Sequence, residues 1–101
     1  MAKIKWTPQS LEDIDTIADF IARDSSYYAG LFIVKVFEAV ERLELFAESG
    51  GMVQEINLKE IRELVMGNYR IIYRVKDDIV EILTVYHSAR LLNAKKIENL
   101  L

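Results

Sequence analysis

The stretch from Glu60 to Arg90, EIRELVMGNYRIIYRVKDDIVEILTVYHSAR, restricts the fold of this chain more than any other. It holds three strand-like runs separated by two tight-turn dipeptides, Gly67-Asn68 and Asp77-Asp78. Such dipeptides between alternating runs are strong hairpin signals, because their residues tolerate the backbone angles of two-residue hairpin loops. The stretch therefore predicts a three-stranded antiparallel meander. The residues before it read as helices that cover one face of that sheet.

If both turns are two-residue loops, Met66 faces Tyr69 and Lys76 faces Ile79. Side chains alternate across a strand, so Tyr69, Ile71, Tyr73 and Val75 share a face. Register adds Val80, Ile82, Thr84 and Tyr86 to it. That face is nearly all apolar and is assigned to the helices. The reverse face carries Arg70, Ile72 and Arg74 beside Glu81, Leu83, Val85 and His87. Arg74 falls opposite Glu81, a favourable cross-strand pair. Arg70 falls opposite Val85, one step from His87. A sheet with one solvated face normally shows cleaner polar alternation, so this aliphatic stripe predicts a cover of some kind.

The 101 residues fit one domain. Hydrophobic residues make up 51% of them, enough for a core, although small domains bury a modest share of their surface. The absence of cysteine excludes a disulfide framework and a thiolate metal site. No apolar run is long enough for a bilayer span. The start MAKIKWTP has no hydrophobic targeting core, so no signal peptide is expected, and the chain reads as cytoplasmic. A net charge of -3 disfavours general nucleic-acid binding. No motif for a nucleotide, metal or other cofactor is visible, and a single histidine without a carboxylate pair is a poor metal site.

Lys3 to Thr7 alternates polar and apolar, predicting a short edge strand with Ile4 and Trp6 inward. Thr7-Pro8 is a helix start, Thr as cap and Pro at the first helical position. Glu12 and Asp13 in or near the first turn suit the positive end of the helix dipole. Leu11, Ile14, Ile17, Ala18 and Ile21 recur at helical spacing up to about Arg23-Asp24. Ser25 or Ser26 caps a second helix from about Tyr27 to Ala47. Its stripe of Phe32, Val36, Ala39, Leu43 and Phe46 is widened by Leu31, Ile33, Val34, Phe37 and Val40, so contact on more than one side is expected. The short break between the helices implies an antiparallel hairpin. Ser49-Gly50-Gly51 reads as the stop. Met52 to Lys59 reads as a loop with a brief strand at Met52-Val53-Gln54. The tail LLNAKKIENLL places Leu91, Leu92, Ile97, Leu100 and Leu101 on a short amphipathic helix that needs a groove or partner to be stable.

This order of motifs resembles the RelE/ParE superfamily of type II toxin–antitoxin toxins, once called plasmid stabilisation proteins. The resemblance spans almost the whole chain. It rests on Trp6-Thr7-Pro8, Leu11-Glu12-Asp13-Ile14, Gly50-Gly51, Ile61-Arg62-Glu63-Leu64, Tyr69-Arg70-Ile71-Ile72-Tyr73 and Val85-Tyr86-His87-Ser88-Ala89-Arg90. Within the superfamily the chain looks closer to ParE than to RelE. The resemblance implies an α+β fold with an N-terminal strand, an antiparallel helical hairpin on a three- to four-stranded antiparallel sheet, and a short C-terminal tail or helix. It implies a toxin bound by an antitoxin whose C-terminal segment folds around it. ParE-like members poison DNA gyrase; RelE-like members cut messenger RNA on the ribosome. Operator DNA binding would belong to the antitoxin.

On the ParE-like reading, target or antitoxin contacts fall to Arg70, Ile72, Arg74, Leu83, Val85, His87, Arg90, Leu100 and Leu101. RNA cleavage would need a base for the 2′-hydroxyl, cations for the phosphate and an acid for the leaving oxygen. For that chemistry the chain offers Arg70, His87, Arg62 and Arg90. Three departures argue against it. The lysines expected before the Tyr-Arg motif are replaced by Glu60-Ile61-Arg62-Glu63, no tyrosine follows His87, and the chain is acidic. A third reading is an inactive toxin homologue that only binds antitoxin. Each residue also has a plain structural role. Arg70 can pair with a sheet carboxylate, Arg74 with Glu81, and Arg62 with Glu38 or at the sheet margin. His87 can be a packing residue at a strand end, and Tyr69, Tyr73 and Tyr86 read as core.

Overall fold

The computed structural model describes residues 1–88 and 94–101. Arg90, Leu91 and Leu92, which the sequence reading places in the site or the tail helix, lie outside the described residues. The chain runs β1 (Lys3–Trp6), α1 (Pro8–Ala22), α2 (Ser26–Glu41), a 3-10 turn (Arg42–Glu44), β2 (Gly51–Met52), β3 (Ile61–Met66), β4 (Tyr69–Lys76), β5 (Ile79–His87) and α3 (Ala94–Leu100). The expected α+β architecture is present. The sheet has five strands in the order β1-β5-β4-β3-β2. It is mixed, because β1 lies parallel to β5. Parallel neighbours cannot be joined by a tight turn; here the helical hairpin carries the chain from β1 to β2 at the opposite edge of the sheet, and the meander returns to β5 beside β1.

Both hairpin turns form as the dipeptides predict. Met66 pairs with Tyr69 and Lys76 with Ile79, and Gly67 and Asp77 adopt φ of 58° and 56°. The Thr7 side chain accepts from the Ser10 N–H at 3.1 Å and caps α1. Its hydroxyl donates to the Ile82 carbonyl at 2.7 Å, fastening the helix start to β5. No acidic residue lies in the first turn of α1 itself; Glu12 and Asp13 come directly after it. Asp13 instead accepts from the Thr84 hydroxyl and, at 3.1 Å, from the Val85 N–H. Ser25 caps α2 through the Tyr28 N–H. That helix gives way to the 3-10 turn after Glu41, earlier than the periodicity predicts. The Glu44 carbonyl accepts from the Ala2 N–H at 2.8 Å, so the N-terminal strand takes a group that a longer helix would use.

The two helices cover one face of the sheet. Ile14, Ala18, Phe32, Val36, Val40 and Leu43 pack on Ile71, Tyr73, Val80, Ile82 and Val85. The outer side of α2 stays exposed at Val34 and Phe37, so α2 is less enclosed than its apolar width predicts. The opposite face has a second, smaller core of Val53, Ile61, Ile72, Leu83 and Ile97, flanked by Ile56, Tyr86 and Leu100. The cover expected for the aliphatic stripe is therefore supplied by this chain, through α3 and the segment after β2.

The register departs from a plain two-residue-loop count at one place. Tyr73 pairs with Ile82, but Ile72 pairs with Thr84, and Leu83 is the extra residue of a bulge. Beyond it, Arg70 lies opposite Tyr86, not Val85, and His87 lies opposite Tyr69. Val85 turns into the helix-side core, whereas Tyr86 joins the reverse-face cluster. The bulge falls where β1 ends at Trp6↔Ile82 and Asp13 takes over the edge of β5. A bulge of this kind re-aims the side chains that follow it.

The approach of residues 48–51 to the sheet is unusually tight. The Gly50 N–H donates to the Tyr73 hydroxyl at 2.9 Å in a buried position. A Cβ on Gly50 would meet the Glu63 carbonyl and the Tyr73 hydroxyl, each at 2.5 Å, whereas one on Gly51 would meet nothing within 4 Å. Gly50→Ala is expected to destabilise the fold by about 2 kcal/mol through overpacking against backbone. Gly51→Ala should stay within about 0.5 kcal/mol of the parent. Urea unfolding of both variants tests this, and equal midpoints would refute the steric argument.

Candidate functional site

The site predicted from sequence centres on Arg70. Its guanidinium is held at both ends: Nε donates to Glu63 Oε1 at 2.6 Å and Nη2 to Glu63 Oε2 at 2.8 Å. Nη1 and Nη2 donate to Glu55 at 2.8 and 3.2 Å. The group sits over the Tyr86 ring, 5.3 Å from its centroid, and its side chain is only 14% exposed. Hydrogen bonds donated to Glu55 and then to Glu63 raise the Arg70 pKa above its already high value. In return, the hydrogen bond from Arg70 lowers the Glu55 pKa below the ordinary carboxylate range. Two forks on one guanidinium make a rigid cluster in which one cation is shared by two carboxylates.

Sequence reasoning missed three of its members. Glu63 is one strand over and two residues along from the residue opposite Arg70, a diagonal cross-strand relation that register can reveal. Glu55 lies in the loop after β2, and no periodicity points to it. Tyr86 reaches this face only because of the bulge. Its hydroxyl is buried without a hydrogen-bond partner among the described residues, and burial raises its pKa.

The other predicted residues separate. Arg74 bonds Glu81 at 2.6 Å, as the register predicts, and Lys5 approaches the same carboxylate at 4.0 Å. Arg62 does not reach Glu38; its Nη1 donates to the Glu48 and Gly50 carbonyls at 3.2 and 2.9 Å, at the sheet margin. Ile72 and Leu83 are fully buried beside Ile97 of α3, and Leu100 packs at the edge of that cluster. Leu101 is exposed. Val85 is in the main core, so its assignment to the reverse face is corrected. The ring of His87 meets Tyr69 edge-on at 5.2 Å, and Tyr69 in turn meets Phe32 at 4.9 Å.

His87 also lines a groove of about 730 Å³ between α1 and the open edge of β5, together with Asp13, Phe20, Arg23, Tyr69 and Lys96. A smaller groove of about 230 Å³ lies between α2 and the β3–β4 turn, lined by Tyr28, Leu31, Lys35, Met66 and Tyr69 among others. Among the described residues no group of three or more potential metal ligands occurs, and no helix is long and apolar enough to cross a membrane.

Fold and site thus describe a small α+β domain whose arginine-bearing sheet face is covered by its own C-terminal helix. The family model described as "ParE toxin of type II toxin-antitoxin system, parDE" matches residues 4–92. The chain belongs to this ParE toxin family. It is 35% identical over 88 residues to the putative toxin Y4kP of Sinorhizobium fredii, covering 85% of this chain and 88% of that one. It is 32% identical over 91 residues to toxin RelE2 of Caulobacter vibrioides, covering 90% of this chain and 100% of that one. Its fold matches a solved chain of the "Chromosomal ParDE TA system from P. aeruginosa" with a TM-score of 0.71 at 23% identity, covering 86% of this chain and 96% of that one.

The Arg70 cluster gives a stability prediction with a defined sign. Arg70→Ala strands the Glu63 carboxylate, which is 15% exposed, and should cost about 1–3 kcal/mol at neutral pH. Because Glu55 has a lower pKa folded than unfolded, its contribution is present above the ordinary glutamate range and fades as pH falls through the lowered value. The gap between parent and variant should therefore shrink from pH 7 to pH 3. Urea titrations at both pH values test this, and a constant gap would refute the pairing as its cause.

Proposed function

We propose that this chain is a ParE-like toxin that acts by binding DNA gyrase and is neutralised by a cognate antitoxin. The observation that carries this reading is the state of the arginines. Arg70 is shared by Glu55 and Glu63, Arg74 is bound to Glu81, and Arg62 caps loop carbonyls. A nuclease must present uncommitted cations to a developing phosphate charge, and these three are committed to the fold. The net charge of -3 points the same way, since ribosomal RNA attracts basic surfaces. The antitoxin is inferred from the family and from the ParDE system that shares the fold.

The alternative, a ribosome-dependent endoribonuclease, draws its support from one place. The groove between α1 and β5 brings His87, Arg23 and Lys96 to a common wall. An inactive homologue that only binds antitoxin is the third reading.

Induced expression with and without the antitoxin separates these readings. Growth arrest with filamentation and a DNA-damage response, relieved by antitoxin, is expected. Supercoiling by purified gyrase should fall on addition of the toxin. Arrest with abrupt loss of translation and cleaved messages, abolished by Arg70→Ala and His87→Ala, would replace the gyrase reading with the nuclease. Absence of arrest would leave the antitoxin-binding homologue.

A further inference from the structure

Helix α2 carries apolar side chains on the side that faces away from the sheet. Tyr27, Val34 and Phe37 are 71%, 51% and 41% exposed, and none of them belongs to either hydrophobic core. Together with Gly30, also exposed, they recur at steps of three, four and three residues. That spacing draws one straight seam along a helix.

Gly30 is the odd member. A glycine inside a helix weakens it relative to alanine, because its backbone has more freedom to lose. Close packing explains Gly50, where a Cβ would strike the Glu63 carbonyl. It does not explain Gly30, where a Cβ would meet nothing within 4 Å among the described residues. Within a single copy of the chain, Gly30 weakens α2 and makes room for nothing. The room it leaves lies on the outer seam, where a second helix can approach the backbone of α2.

The seam is complementary to itself. Its four positions are symmetric about Phe32. Gly30 and Val34 lie two residues to either side, about 3 Å along the axis, and Tyr27 and Phe37 lie five residues away, about 7.5 Å. A two-fold axis level with Phe32 runs two copies of α2 antiparallel. It sets Val34 of each copy into the notch at Gly30 of the other, and Tyr27 of each against Phe37 of the other. Small meets branched, aromatic meets aromatic, and every layer is reciprocal, as an isologous interface requires. From Tyr27 to Phe37 no residue of the seam is charged. Beyond it, Glu38 of each copy falls level with Ser26 of the other, the first residue of α2, where the helix dipole is positive. Arg23 and Asp24, next along that chain, offset one another in charge. The two Glu38 side chains stay about 18 Å apart along the axis.

We propose that the outer face of α2, with Gly30 at the point of closest approach, pairs antiparallel with the same face of a second copy of this chain. The proposal does not depend on the toxin reading. Aromatic side chains carry about 150–250 Å² each, so Tyr27, Val34 and Phe37 supply on the order of 300 Å² per copy at their observed exposures. That places the contact at the weak end of specific interfaces. The expected dimer is reversible, with a dissociation constant on the order of tens of micromolar.

Sedimentation of the full chain, from about one to a few hundred micromolar, tests this with Gly30→Val, Val34→Gly and the double variant. The parent should pass from monomer to dimer across the series. Gly30→Val sets valine against valine in both inner layers, and Val34→Gly leaves both empty. Each should weaken association about tenfold or more. The double variant exchanges knob and notch and should return to within about threefold of the parent. Thermal unfolding of the monomer, at the lowest concentration, should move the other way for the two single variants: up for Gly30→Val and down for Val34→Gly.

A parent that stays monomeric throughout would overturn the proposal, and loss of antitoxin binding in the single variants would then give this face to the antitoxin. Dimers untouched by either substitution would place self-association on another face and refute it as well. A double variant as weak as the single ones would refute the paired register at Gly30 and Val34.

Discussion

The open edge of β5 is the constraint on which the site depends. β1 accompanies β5 only as far as Ile82, and backbone donors past that point need another acceptor. Asp13 on α1 provides it for Val85 N–H, and also receives the Thr84 hydroxyl. The bulge at Leu83 lies at this handover. It sends Val85 into the core and Tyr86 under the Arg70 guanidinium. One carboxylate at a sheet edge thus sets which side chains share the face with Arg70.

The second core explains how so small a protein keeps an aliphatic sheet face out of water. Helix α3 has seven residues, too few to persist without tertiary contacts. Ile97 and Leu100 anchor it on Ile72 and Leu83. The Arg70 cluster ties the Glu55 loop to the same face. Side chains that look like a waiting interface in sequence are therefore part of the folded monomer. The exposed, unpaired chemistry lies at the other layer, on the helical hairpin, where aromatic side chains and Arg23 face solvent.

Much of the fold could be read from local chemistry. Two turn dipeptides fixed both hairpins, Thr7-Pro8 and Ser25 fixed two helix starts, and the Arg74–Glu81 pair followed from counting. The site was only half legible. Arg70 stood out by its position, and its structural alternative, a sheet carboxylate, is present as Glu63. Glu55 could not be found, because its contact is made by a loop with no repeat to read.

By itself, the sequence determined the meander, the capped helices and the family. The meander and the caps depend on residues a few positions apart, through backbone angles and periodicity, whereas the family rests on a resemblance carried by motifs along almost the whole chain. Tertiary structure alone decided the parallel seat of β1, the bulge at Leu83, the burial of Ile72 and Leu83 beneath α3, and the double carboxylate clamp on Arg70. These depend on which distant backbone groups and apolar surfaces are left unsatisfied once the local elements meet.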